Sequence, residues 1–395
     1  MTSAPYRTPA APPRSWLPTL SVMDRYLARE LIMPFLFGVA AFSSIGLAVG
    51  TLFELVREVV DQGLPIALAI KVLLLRMPYF LVLSFPMSTL LATLMAYGRL
   101  SNDSELVALR SCGISIYRLV MPALVLSACV TALTFAFNEA IVPAANAEAK
   151  ATLERALGQD EAPSFRDENI FYREYGKVDL PDGSDKTTLT RMFYAERFDG
   201  EFMSDITVVD RSQYGIAQII TANRARWEAS SSQWEFFDGT IYIVSPDGGY
   251  RNVATFAQQT IRLPRTALDL AVRGRFRSDE MNIAQLADQI ELLRPSGDRS
   301  AIVKLELRLQ QKYALPFICF AFGVVGSALG NRRHQRLGRA TSFGISVVMI
   351  FSYYLFAFVM DALGLKEVLS PVVATWTPIA VVTGVGGLLL MRASR

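Results

Sequence analysis

Six stretches of this 395-residue chain, at 31–53, 79–97, 119–137, 313–330, 343–360 and 371–391, run for about 18 residues or more almost without charge. At a rise of about 1.5 Å per residue, a helix of that length crosses the roughly 30 Å hydrocarbon core of a bilayer. Between the third and fourth stretches, from about 141 to 312, nothing similar occurs. The pattern predicts a polytopic α-helical membrane protein, six transmembrane helices in two groups of three around an inserted domain. Composition agrees: 52% of residues are hydrophobic and only 19% charged, an imbalance that clustered spans explain and a soluble globule rarely shows.

Lys and Arg in short connections are retained on the cytoplasmic side, so their placement orients the chain. One face gathers Arg7, Arg14, Arg25 and Arg29, then Arg99, Arg110 and Arg118, then Arg332, Arg333, Arg336 and Arg339, and finally Arg392 and Arg395. The opposite short loops hold only Arg57 and Lys366. Both termini are therefore expected in the cytoplasm, and the central region outside it. The net charge of +3 follows from this topology and gives no support to nucleic-acid binding. Cys112, Cys129 and Cys319 all fall in spans or a cytoplasmic loop, so the external domain must hold together through its own core rather than disulfides. Residues 1–22, rich in Pro, read as a disordered cytoplasmic tail.

Residues 23–140 contain the first three spans. Gly46 and Gly50 form a small-xxx-small pattern in the first, which permits close helix approach. The hydrophobic stretch 66–97 exceeds one perpendicular crossing, and Pro78 and Pro86 suggest a long kinked helix whose first turns, with Lys71 and Arg76, stand at the outer interface where basic side chains snorkel. Between spans two and three, residues 101–112 read as a short amphipathic cytoplasmic helix, capped by Asn102 or Asp103 and ended by Gly113 in the left-handed conformation. Leu106 and Leu109 lie at helical spacing on its apolar side, and Glu105 and Arg110 on its polar side.

Residues 141–275 alternate in period two through Asn169–Arg173, Leu189–Tyr194, Ile206–Val209, Gln218–Thr221, Trp234–Phe237 and Ile241–Val244. Turn signals stand at Pro181–Gly183, Asp199–Gly200, Asp238–Gly239 and Pro246–Gly249, so a β-sandwich or jelly roll is expected. Residues 276–312 form a helical connector, with one amphipathic helix at Asn282–Leu293 and another, Ile302–Tyr313, running into the fourth span with Lys304, Glu306, Arg308 and Lys312 on its polar face; 313–395 hold spans four to six.

The inventory argues against an enzyme. A single histidine, His334, sits in a basic loop, so a His-based metal site lacks partners, and no GxxxxGK[ST], GxSxG or HExxH occurs. No catalytic residue, metal or cofactor is assigned. Arg57, beside Glu54 and Glu58, is read either as an interfacial residue or as a contact for a phosphorylated head group, as are Arg76 and Lys71. Asp361 is read as an interface residue rather than a proton relay. Glu105 is weighed between a solvated helix face and a docking contact, since a rigid helix held between two spans suits force transfer from a soluble motor.

Met23–Leu27, Phe85–Leu94, Gly98–Ser115 and Leu315–Pro316 closely resemble the lipopolysaccharide-export permeases of the LptF/LptG (YjgP/YjgQ) family, in order along residues 23–393. The resemblance implies half of an ABC-type exporter. A second LptF/LptG-type permease would pair with it, as a hetero- or homodimer, and a separate LptB-like ATPase dimer would drive it. By the same resemblance 98–115 carries the coupling helix with Glu105 toward the ATPase, spans one and five form lateral gates, and Arg57 contacts glycolipid phosphates. The external jelly roll would pass lipopolysaccharide to an LptC-like periplasmic protein. The carboxylates beside Arg57 depart from the family's more basic first span, which suggests a less phosphorylated head group. From a different class, a membrane-anchored assembly or sensor protein that binds a periplasmic partner without transport is the alternative. A secondary transporter is disfavoured, because the spans lack the buried ionisable residues that ion coupling uses.

Overall fold

A computed structural model describes residues 21–156, 167–179, 185–199, 201–213, 216–228, 233–244, 250–261, 280–331 and 339–394. The Pro-rich first 20 residues, the Pro181–Gly183 and Pro246–Gly249 turns, Gly200 and the Arg332–Arg336 loop with His334 lie outside these. Among the described residues six helices are long and apolar enough to cross a membrane: Val22–Asp61, Ile66–Asn102, Ile116–Leu153, Arg299–Gly330, Thr341–Leu365 and Pro371–Ala393. Three precede the β region and three follow it, as the hydropathy pattern requires.

The first crossing is α1 (Val22–Leu47), a π-helical turn at Ala48–Leu52 and α2 (Phe53–Asp61). Gly46 and Gly50 face Phe80 of α3 (Ile66–Asn102): a Cβ at Gly50 would come within 2.8 Å of that ring. The small-residue pattern thus seats an aromatic ring of the same chain. The long second stretch is one continuous 37-residue helix through Pro78 and Pro86. After a short helix α4 (Glu105–Ser111), the third crossing is α5 (Ile116–Ala136), a second π-helical turn at Phe137–Ile141 and α6 (Val142–Ala156).

Six antiparallel strands follow: β1 (Asp167–Asp179), β2 (Asp185–Phe198), β3 (Phe202–Gln213), β4 (Ile216–Glu228), β5 (Gln233–Val244) and β6 (Tyr250–Ile261). They form one sheet in the order β1-β2-β3-β4-β5-β6. The intervening connections have five, three, two, four and five residues, lengths that join neighbouring strands as hairpins. The expected inserted β domain is therefore built as a meander. Its core takes alternate residues, Phe193 with Ala195, Ile206 with Val208 and Trp234 with Phe236, all nearly inaccessible.

Asp238–Gly239 is not the turn that its composition suggests. Both residues lie inside β5, where Asp238 takes φ of 51° and the strand continues. Gly239 allows this, since a Cβ there would sit 2.4 Å from the Phe256 ring and 2.5 Å from the Thr221 carbonyl oxygen.

The connector begins with α7 (Ile283–Leu293). Asn282 accepts from the Gln285 N–H at 2.8 Å while Gln285 Oε1 accepts from the Asn282 N–H at 2.9 Å, a reciprocal cap. Glu139, in the second π-helical turn, accepts from the Ile283 N–H at 3.1 Å, tying this helix to the third crossing. Asp298 then caps α8 (Arg299–Gly330), which merges the expected connector helix with the fourth span into 32 residues.

Helix α8 is the axis of the bundle. Along it Gly323, Gly326 and Gly330 repeat at three- and four-residue spacing, against Ser127, Thr93 and Tyr97. The Ser127 and Thr93 hydroxyls donate to carbonyls of their own helices, Ala123 at 2.7 Å and Thr89 at 2.8 Å. Close packing of small residues is the way helices associate where lipid removes the hydrophobic drive. Helices α9 (Arg339–Leu365) and α10 (Pro371–Ser394) complete the bundle.

Candidate functional site

Two places in the bundle concentrate charge, one at each end. At the end opposite the β sheet, α4 is held between the second and third crossings. Neither Asn102 nor Asp103 caps it. The Asp103 N–H still donates to Arg99 and the Ser104 N–H to Ser101, so α3 keeps winding through both candidates. The reversal falls at Ser104, with φ of 59°. At the other end Gly113 takes φ of 83°, the left-handed stop expected of it.

Leu106 is 3% exposed and joins Leu27, Leu31, Tyr97, Leu100 and Leu119 in one cluster, with Leu109 packed against it. Both leucines therefore pin the helix to the bundle from below. Glu105 points the other way into a polar network: its Oε2 accepts from the Tyr26 hydroxyl at 2.8 Å, and that hydroxyl accepts from Arg99 at 2.6 Å. Arg99 also pairs with Glu30 at 3.3 Å and with Glu105 at 3.6 Å. Arg110 donates to the Ala393 carbonyl at 3.1 Å, binding the helix to the end of α10.

At the other end, each basic residue expected to meet lipid phosphate has a carboxylate beside it. Arg57 pairs with Asp61 at 3.5 Å, Arg76 with Glu54 at 3.3 Å and Lys71 with Glu148 at 3.3 Å. Arg57 is 84% exposed, and a pair so exposed contributes about 0–1 kcal/mol, little resistance to exchange for another anion. Arg57 sits on α2 and Lys71 and Arg76 on α3, each against a different carboxylate.

A cavity of about 610 Å³ opens nearby between α3, α8, α9 and α10. Lys304, Arg308 and Lys312 line it at four-residue intervals along α8, above an apolar floor that includes Leu83, Leu315, Ile318 and Ile379. Gln311 donates to Asp361 at 2.8 Å across the cavity wall. Thr375 Oγ1 and Tyr354 OH, on its lining, are buried without a hydrogen-bond partner. Basic rim, apolar floor and spare hydroxyls suit an amphipathic anion. None of Arg57, Arg76 and Lys71 lines this cavity, whereas Asp361, read from sequence as an interface residue, does.

A family model described as lipopolysaccharide export system permease LptF/LptG matches residues 25–392. The chain belongs to the LptF/LptG family. No curated protein matches it. Membership makes this a transport permease and a multi-pass inner membrane protein. For an LptF/LptG chain the basic series on α8 is the feature to which the sequence assigns a polar helix face but no role. Its four-residue spacing is visible in the sequence, but the cavity facing it is formed with α3, much earlier in the chain, and with α9 and α10, much later.

Proposed function

We propose that this chain is a permease subunit of an ATP-driven lipopolysaccharide exporter, oriented with both termini in the cytoplasm and the β domain in the periplasm. In this reading a second LptF/LptG-type permease pairs with it, an LptB-like ATPase dimer binds beneath, and an LptC-like protein receives the glycolipid from the β domain. Glu105 meets the ATPase. Leu106 and Leu109 support it from the bundle side, and Arg110 fixes the far end of the same helix. On the outer side, Lys304, Arg308 and Lys312 attract the phosphorylated head group into the cavity, and Arg57, Arg76 and Lys71 exchange their carboxylate partners for phosphate as lipid enters.

The observation that carries this reading is the placement of α4. A seven-residue helix, stopped at both ends and wedged on buried Leu106, presents a carboxylate at the face opposite the β domain. A membrane protein whose β domain merely bound a partner would have no use for that arrangement. Co-purification with an ATP-binding-cassette subunit tests it: the complex is expected to survive detergent extraction of the native chain and to be lost on Glu105→Arg. Persistence of the complex after charge reversal sinks the role of Glu105, and absence of any such subunit sinks the exporter reading.

A further inference from the structure

The hydrogen bonds around Glu105 run in one direction. Arg99, near the end of α3, donates to the Tyr26 oxygen at 2.6 Å, and Tyr26, on the first turns of α1, donates to Glu105 at 2.8 Å. Residues 73 and 79 positions apart in the chain are thereby joined through one phenol that accepts and donates at once. The guanidinium serves three carboxylates, with Glu30 on α1 at 3.3 Å, Glu105 on α4 at 3.6 Å and Asp103 at 3.9 Å. Beneath this polar layer lies the cluster built from Leu27, Leu31, Tyr97, Leu100, Leu106 and Leu119, drawn from the first three spans and α4. A second bolt, Arg118 to Asp24 at 2.6 Å, fixes the start of α5 to the start of α1.

We propose that Tyr26 and Arg99 are positioning residues that lock Glu105 to the first span, so that displacement of α4 by an ATPase moves the first span as one piece with it. The inference rests on the exporter reading above and adds the route by which force leaves α4. Without the phenol, Glu105 is tied to α1 only indirectly, through a guanidinium divided among three carboxylates. One guanidinium among three carboxylates also leaves the layer negative overall, so a cationic side chain offered to Glu105 meets attraction rather than competition from a neutral pair. Glu105 can then give its Arg99 contact to the partner while Arg99 stays anchored by Glu30, and Tyr26 continues to hold the carboxylate.

The test uses the full complex in proteoliposomes with lipopolysaccharide, reading ATP hydrolysis and glycolipid transfer together. Tyr26→Phe removes one hydroxyl from an exposed position. Complex yield, melting temperature and ATP hydrolysis are expected to stay near native, while transfer per ATP falls roughly ten-fold, the population shift expected from loss of one charge-assisted hydrogen bond. Arg99→Gln is expected to reproduce that loss and Arg99→Lys to recover part of it. In a Glu105→Ala background, which offers no acceptor to the phenol, Tyr26→Phe is expected to add nothing, because it acts through Glu105. Native transfer per ATP in Tyr26→Phe overturns the proposal, as does full additivity with Glu105→Ala, or loss of the complex itself, which would make Tyr26 a docking residue. If the native complex hydrolyses ATP but transfers no lipopolysaccharide, the exporter reading fails and takes this inference with it.

Discussion

A Cβ placed on Gly326 would lie 2.0 Å from the hydroxyl oxygen of Thr93, closer than any real contact allows. The central helix and the second span are thus fitted to each other through the absence of a methyl group. Gly326→Ala is expected to destabilise the bundle by about 1–3 kcal/mol, the usual effect of overpacking. Thr93→Ala in the same chain should restore part of the loss, because the atom then nearest is the Thr93 Cβ at 3.0 Å. Thermal unfolding of the four proteins in detergent checks the cycle, and equal stability of Gly326→Ala and native chain refutes the contact.

Asp24 is 9% exposed, holds Arg118 at 2.6 Å through Oδ2 and has no partner for Oδ1. Arg118→Ala leaves that carboxylate almost buried with only the Ser21 N–H donating to it, and is expected to cost about 2–3 kcal/mol, reduced from the fully buried case because Arg118 is half exposed. Arg118→Ala with Asp24→Asn should be more stable than Arg118→Ala alone. The reverse order in a denaturation series would show that the pair is not what holds α1 to α5.

In the β sheet, burial by itself would raise the Asp210 carboxyl, but hydrogen bonds from Ser212 and Arg191 outweigh it and hold the group below its ordinary value. A group whose folded value is depressed stabilises the fold above its unfolded value, and that contribution disappears as pH falls through the folded one. Stability of the β domain is therefore expected to decline below about pH 4, the ordinary range of an aspartate. Asp210→Asn should flatten that part of the profile. Tryptophan fluorescence reads it, since Trp227 and Trp234 both belong to the sheet core. An unchanged acid limb in the variant would remove Asp210 as its cause.

Arg308→Glu places a carboxylate in the middle of the basic series facing the cavity. Retention of lipopolysaccharide by the purified chain is expected to fall roughly ten-fold, on the scale of one charge-assisted contact. Arg57→Glu, at an exposed position beside Asp61, should reduce it less. A larger effect at Arg57 than at Arg308 would move the head-group site from the cavity to the first span.

Spans and insertion were legible from hydropathy because a run of apolar residues has few other fates. Span ends were not: the first crossing extends over 22–61 rather than 31–53, since a helix continues into water through Asp24, Glu30 and Arg57 without any change of conformation. Gly113 announced the end of α4, but Asn102 and Asp103 misled, because a good capping residue is equally acceptable in the last turn of the preceding helix. β5 was read as two strands for a related reason. Asp-Gly favours positive φ, and a sheet can use that inside a strand as readily as a hairpin can. Which carboxylate meets Arg57, Arg76 or Lys71 is decided by packing between helices distant in sequence and has no local signature. The network around Glu105 is of the same kind, joining residues more than 70 positions apart.

The meander leaves β1 and β6 as outer strands, each paired on one side only among the described strands. A strand in that position displays a row of amide and carbonyl groups at the spacing of the next ladder. Among the described residues the sheet has no strand beyond β1 or β6, and a further strand added there would repeat the step already made five times within the domain. Extension of that sort would leave the Trp234 core untouched, since that core is built from the faces of the strands and not from the margins of the sheet.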